Sequence, residues 1–149
     1  MFKHDIIVRS SEYDFFRPVN NANYLIYFEE ARNQLYQIFN SSLKIKSWNL
    51  IIASIQCDFI HEVISTEKVT IYTWISQVGN TSFQVEHAIQ DEHQNWIARG
   101  KVILAHFNFQ LKNSIPLPKE IKHLLSEHNE EPNGIPKLRS KHTHHFILI

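Results

Sequence analysis

The sequence predicts an α+β domain in which an antiparallel sheet curls around one long central helix. Two observations predict it. Tyr24, Tyr27, Phe28, Ala31, Leu35, Ile38 and Phe39 recur at spacings of three and four, which draws one apolar stripe along a helix. Downstream, residues 50–111 break into β-branched and aromatic runs separated by turn residues, the pattern of a four-strand meander. The stripe must be buried, and the strands that follow are the surface available to bury it.

Each element follows from its residues. "DIIVRS" (5–10) is a short strand candidate ahead of a loop that holds Pro18. Asn20 or Asn21 can cap the long helix, because a short side-chain oxygen accepts from a free backbone N–H. With Asn20 as cap, Val19 and Tyr24 are spaced as a hydrophobic staple. Asn23, Glu29, Arg32, Asn33 and Gln37 fall on the remaining helix surface, with Glu29 and Arg32 spaced as an i,i+3 pair. "LIIASIQCDFI" (50–60) reads as a strand mostly buried on both faces. "EKVTIYTWISQV" (67–78) and "FQVEHAIQ" (83–90) flank the turn "GNTS". "WIARGKVILAHFNFQL" (96–111) is a long strand in which Gly100 marks a bulge. Pro116 and Pro118 lead into a short amphipathic helix at 119–128. A polar tail, 129–149, ends in "HTHHFILI". The domain is therefore expected over 1–128 and a surface tail over 129–149, dispensable for activity.

The chain has 149 residues and is 43% hydrophobic, which suits one domain with a real core. Fifteen Lys and Arg balance fifteen Asp and Glu, and no basic run forms, so composition argues against a nucleic-acid partner. The single cysteine, Cys57, allows no internal disulfide and reads as a buried inert thiol in a reducing compartment. No segment reaches the roughly 18 apolar residues of a membrane span, and "MFKHDIIVRSS" has no leader-like run. The expectation is a soluble cytoplasmic domain. A sheet covered by one helix leaves an edge open, which predicts at least a homodimer.

The chemistry concentrates at 14–32, "DFFRPVNNANYLIYFEEAR". Asp14 is either a solvated loop charge or an acid aimed at something held over the helix start. That start offers free N–H groups and positive potential. A carbonyl placed there is polarised, and a nearby carboxylate is available as base or nucleophile.

The string "YDFFRPVNNANYLIYFEEAR" resembles the signature of the hotdog-fold acyl-CoA thioesterases of the 4-hydroxybenzoyl-CoA thioesterase type, nearest the long-chain acyl-CoA branch. There an acid and a short turn precede "HVNNxxYLxYxEEAR". "VGNTSFQVEHAI" (78–89) and "IPLPKEI" (115–121) are similar to later family motifs, so the likeness spans about residues 5–128. The resemblance implies a hotdog fold and hydrolysis of an acyl-CoA. No separate cofactor is implied, coenzyme A being part of the substrate. A homodimer or homotetramer is implied too. It maps the catalytic acid onto Asp14 and the oxyanion donor onto the backbone of Asn21, beside Asn20. Arg17 stands where members often carry Gly, and Pro18 where they carry His. Those departures keep open a non-catalytic module that binds acyl-CoA or only dimerises. An acyl carrier protein thioester is the alternative substrate.

Other residues carry a functional reading beside an ordinary one. Tyr24, Phe28, Trp74 and Phe107 line an acyl tunnel or simply fill the core. Thr81 and Ser82 offer hydroxyls to the substrate or only make the turn. Arg99, Lys101 and Lys112 meet coenzyme A phosphates or are solvated charges. Glu29 and Glu30 are the runner-up acids. His142, His144 and His145 lack a distant partner ligand, so no metal site is expected.

Overall fold

The computed structural model describes residues 1–9, 12, 20–43, 49–61 and 68–139, with 39–43 as backbone only. In chain order these form β1 (Phe2–Ile7), α1 (Asn21–Leu43), β2 (Leu50–Phe59), β3 (Lys68–Val78), β4 (Ser82–Gln90), β5 (Trp96–Asn108), β6 (Asn113–Ser114) and α2 (Lys119–Ser126). The first strand lies earlier than residues 5–10, because Phe2–Ile7 pairs antiparallel with β3.

The sheet runs β1-β3-β4-β5-β2, with β6 added to β5. Only β3-β4-β5 is a meander. β2 pairs with β5 and not with β3, which corrects the expected four-strand order. That placement also corrects the reading of β2 as a strand buried on both faces. As an edge strand it exposes Ile52, Ala53, Ser54 and Ile55. Helix α1 lies closest to β1 and β3; on β2 it meets Cys57 and Phe59.

The sheet also packs on two helices, not one. Tyr24, Tyr27, Phe28 and Ala31 of α1 bury against Val69, Ile71, Ile89 and Ala98. Leu35 joins a second cluster in which Ile121 and Leu125 of α2 close over Phe83, Val85 and Leu104. Tyr36 and Ile38 of α1 pack against that cluster too, so both helices cover this end of the sheet.

Gly100 pairs in regular register with Cys57 and His87, so no bulge sits there. The register shifts lie instead at Ile52/Ser54, Ile75/Gln77 and Ile89/Gln90. Close approach explains the glycine: a Cβ at Gly100 would stand 2.6 Å from Phe28 Cε2. The Phe28 ring is fully buried and stacked on His87 at 4.8 Å, so it has little room to yield. Gly100→Ala is expected to cost about 1–3 kcal/mol by overpacking. In a Phe28→Leu background the same change should cost less, and a urea-denaturation cycle over the four proteins reads that coupling.

The tail is not a loose appendage over its described part. From α2, where Ile75 N–H donates to His128 O at 2.8 Å, residues 129–139 cross the sheet face opposite α1. Trp74, on the helix-distal side of β3, is buried, with the Arg99 guanidinium over its ring at 5.1 Å. Arg99 donates to Glu86 and to Pro136 O. Arg139 N–H then donates to Asp58 at 2.7 Å, and Gln56 Nε2 donates to Arg139 O at 3.1 Å. The segment is a strap across β4, β5 and β2. Residues 140–149, including the clustered histidines and "FILI", lie outside the described residues.

Candidate active site

Helix α1 begins as its first residues dictate. Asn20 is the cap: its Oδ1 accepts from Ala22 N–H at 2.9 Å. Its carbonyl accepts from Asn23 N–H at 3.0 Å. Among the described residues, nothing accepts from the N–H of Asn21, which is exposed. The first turn carries no acid of its own, so the positive end of the helix is uncompensated by α1 itself. Val19, Arg17, Pro18 and Asp14 lie outside the described residues.

Glu12 ties this start to the end of β1. Its main-chain oxygen accepts from Asn20 N–H at 2.9 Å and from Asn23 Nδ2 at 3.0 Å. Its carboxylate accepts from Tyr27 Oη at 2.6 Å and from Arg9 N–H at 2.9 Å. Sequence reasoning missed this residue. Its partners lie from three residues before it to fifteen after, and no periodicity marks them.

The other candidates are not gathered at the helix start. Tyr24 is buried beside it and meets the Phe59 ring edge-on at 5.1 Å. Phe28 lies one turn further into the core. Thr81 and Ser82 sit at the β3–β4 turn, by the other end of the helix. The rise along β4 separates that turn from the Tyr24 end by roughly 20 Å within one chain. Ser82 lines a shallow cavity of about 120 Å³ there with Gln77, Gly79 and Ile103. Lys112, exposed in the turn after β5, belongs to that same end. Trp74 lies on the opposite sheet face and Phe107 near Phe109, so the four aromatics do not line one tunnel. Arg99 is not a free cation: it is buried under the strap and engaged by Glu86, Pro136 O and His87 O. Glu30 faces His4 of β1, with 3.9 Å between Oε2 and Nε2.

Residues 8–125 match the family model of the thioesterase-like superfamily. The chain belongs to the thioesterase-like superfamily. An uncharacterized protein of Bacillus subtilis strain 168, YsmA, is 28% identical over 124 residues, which is 83% of this chain and 84% of that one. A predicted thioesterase from Bacillus stearothermophilus superposes with a TM-score of 0.81 at 30% identity, over 88% of this chain and 98% of that one. A thioesterase from Thermus thermophilus, complexed with coenzyme A and zinc, superposes with a TM-score of 0.74, over 88% of this chain and 96% of that one. At 21% identity that likeness carries the fold alone. An antiparallel sheet packed on α1 and α2, together with these matches, fits a hotdog fold. Among the described residues no group of three or more His, Cys, Asp or Glu is placed to hold a metal ion.

The core of this thioesterase-like chain holds a polar cluster. Arg32 is buried, not on the helix surface, and its partner is not Glu29. Its Nη1 meets His87 Nε2 at 3.2 Å and its Nε donates to Tyr36 Oη at 2.9 Å. Because a guanidinium only donates, His87 Nε2 is the acceptor and the ring proton sits on Nδ1, which donates to Thr73 Oγ1 at 2.9 Å. Burial, then the Arg32 and Arg99 cations, hold His87 well below the usual imidazole range. Burial, then the Asp58 carboxylate, push the Cys57 thiol up to about 12, so it stays protonated and inert at neutral pH.

A pH dependence follows from His87. Below the ordinary value of 6.5 the unfolded chain takes up a proton that the folded chain refuses. Stability should therefore be complete above that pH and fall as pH drops through it, by up to about 1.4 kcal/mol per unit. His128, lowered by burial, acts with the same sign. In His87→Gln the slope between pH 6.5 and 5, read by denaturant titration, should be shallower than in the parent; superimposable slopes would contradict the assignment.

Proposed function

We propose that this chain hydrolyses an acyl-CoA thioester to the free acid and coenzyme A. The observation that carries the reading is the Asn21 N–H, unclaimed among the described residues, at the start of a long helix whose first turn carries no acid, in a chain of a thioesterase-like family. The thioester oxygen accepts from that N–H, and the negative charge that grows on it is stabilised there. Asp14 acts from the other side of the carbonyl carbon. As a base it takes a proton from water while the new C–O bond forms. The C–S bond then breaks, and the thiolate leaves and takes up a proton. As a nucleophile it forms an acyl anhydride that water cleaves. A thiol near pKa 8.5 leaves with little acid help, so one carboxylate and one oxyanion donor suffice. The Thermus thermophilus thioesterase of the same fold is complexed with coenzyme A, which is compatible with that substrate class.

Arg17 and Pro18 favour the second reading, a module that binds acyl-CoA without turnover. Pro18 removes both a side-chain donor and a backbone N–H from the loop. Free-thiol release from a panel of acyl-CoAs, short to long and aromatic, alongside an acylated carrier protein, separates the readings. Release from an acyl-CoA supports hydrolysis; binding by calorimetry with no release supports the module.

The working unit in this proposal is a cytoplasmic homodimer joined along β2. That edge carries exposed Ile52, Ile55 and Phe59, and Leu25 and Ile26 of α1 are exposed too. Pairing would join two sheets into one. Light scattering at micromolar concentration should return at least twice the chain mass, and Ile55→Lys should shift it toward the monomer. No helix among the described residues is long and apolar enough to cross a membrane.

A further inference from the structure

Glu12 grips α1 at three positions on successive turns. Its carbonyl holds Asn20 N–H and the Asn23 side chain, and its carboxylate holds the Tyr27 hydroxyl. The Tyr27 hydroxyl donates to that carboxylate at 2.6 Å. Tyr27 is 1% exposed, so the grip is anchored in the core. The same carboxylate oxygen accepts from the N–H of Arg9, two residues past β1. Helix start and sheet edge are thereby fixed to one another through one side chain.

The consequence falls on a single peptide unit. The N–H of Asn21 belongs to the plane that joins it to Asn20. On one side, Asn20 N–H is held by the main-chain oxygen of Glu12, whose place is fixed by its carboxylate through Tyr27 and Arg9. On the other, the carbonyl of that plane is held by Asn23 N–H at 3.0 Å. We propose that Glu12 is a positioning residue for the Asn21 N–H: it sets the direction of the oxyanion donor and does not itself touch the substrate. This rests on the hydrolytic reading above. A catalytic part for its carboxylate fits the contacts poorly, because Oε2 already accepts two hydrogen bonds and Oε1 faces the Arg9 guanidinium at 3.9 Å.

The effect belongs in kcat. A donor displaced by about 1 Å can cost about 10²-fold, while binding of the remainder of the substrate is unaffected. Glu12→Ala should therefore lower kcat roughly 100-fold with KM within a factor of about three. Glu12→Gln keeps a carbonyl oxygen for Tyr27 and should recover most of that loss. Tyr27→Phe should lie between the parent and Glu12→Ala, and the double variant should be no slower than Glu12→Ala alone, since the bond lost in Tyr27→Phe is one of the two that Glu12→Ala already removes.

Two controls separate the role from mere stability and from the reading it rests on. Leu125→Ala opens a cavity in α2, far from the helix start, and should keep kcat at a temperature where it and Glu12→Ala are both folded. A Glu12→Ala enzyme at parental kcat, a kcat loss matched by Leu125→Ala, or a Glu12→Gln enzyme as inactive as Asp14→Asn would each overturn the inference. If Asp14→Asn is inactive and Glu12→Ala is not, the inference alone falls. A parent that releases no thiol from any acyl-CoA overturns the hydrolytic reading and the inference with it.

Discussion

Asp14→Asn is expected to remove most thiol release while leaving the fold and the dimer unchanged. The amide keeps the size of the carboxyl and can still hydrogen-bond. It can neither take a proton from water nor attack a carbonyl effectively. Loss of a general base typically costs about 10²–10⁴ in rate, or roughly 3–5 kcal/mol of transition-state free energy. Acyl-CoA affinity should hold or tighten slightly, because a negative charge near an anionic ligand is gone. Asn20→Ala should cost far less in rate. Its side chain caps Ala22 N–H, so its loss should take about 1 kcal/mol from stability while the Asn21 donor stays on the backbone. A stopped assay that finds Asp14→Asn within about threefold of the parent would remove Asp14 from the mechanism, and Glu30 would be the next acid to change.

Truncation after His128 should reduce stability on the order of 3 kcal/mol. The strap's hydrogen bonds to the sheet run from Arg99 to Pro136 O, from Arg139 N–H to Asp58, from Gln56 to Arg139 O and from Arg139 to Phe59 O. Each is worth about 0.5–1.5 kcal/mol net. The strap also covers the face on which Trp74 and Arg99 are buried, and Arg99 would lose Pro136 O while keeping its hydrogen bonds to Glu86 and His87 O. A midpoint lower by roughly 10 °C is the expected calorimetric result. Turnover per folded dimer should persist, because the strap lies on the sheet face away from α1. Truncation after Arg139 keeps the clamp and should leave the midpoint near the parent's. Equal midpoints for both truncations would show that the strap contributes nothing.

Local features were legible in the sequence where local chemistry decides them. The cap at Asn20, the buried stripe of α1 and the β3–β4 turn each follow from residues a few positions apart. Strand order does not: "LIIASIQCDFI" is as apolar as a central strand, yet β2 takes the edge because β5 and not β3 is its partner. Gly100 gave no sign of its neighbour, since Phe28 is 72 positions away in sequence. Arg32 left a usable signal. It stands four residues from both Phe28 and Tyr36, on the buried face, while His87 shares the parity of Phe83, Val85 and Ile89 on β4. Two polar residues on two apolar faces are the pattern of a buried pair. The strap was hidden because Pro132, Gly134 and Pro136 have the composition of a surface tail, and its partners all lie far back in the chain.

The most direct test of the central claim is a crystal structure of the Asp14→Asn protein with an unhydrolysed acyl-CoA. The account places the thioester oxygen about 3 Å from Asn21 N, with residue 14 facing the carbonyl carbon from the other side. A thioester bound elsewhere, at the Thr81–Ser82 turn or beside Glu30, would contradict it.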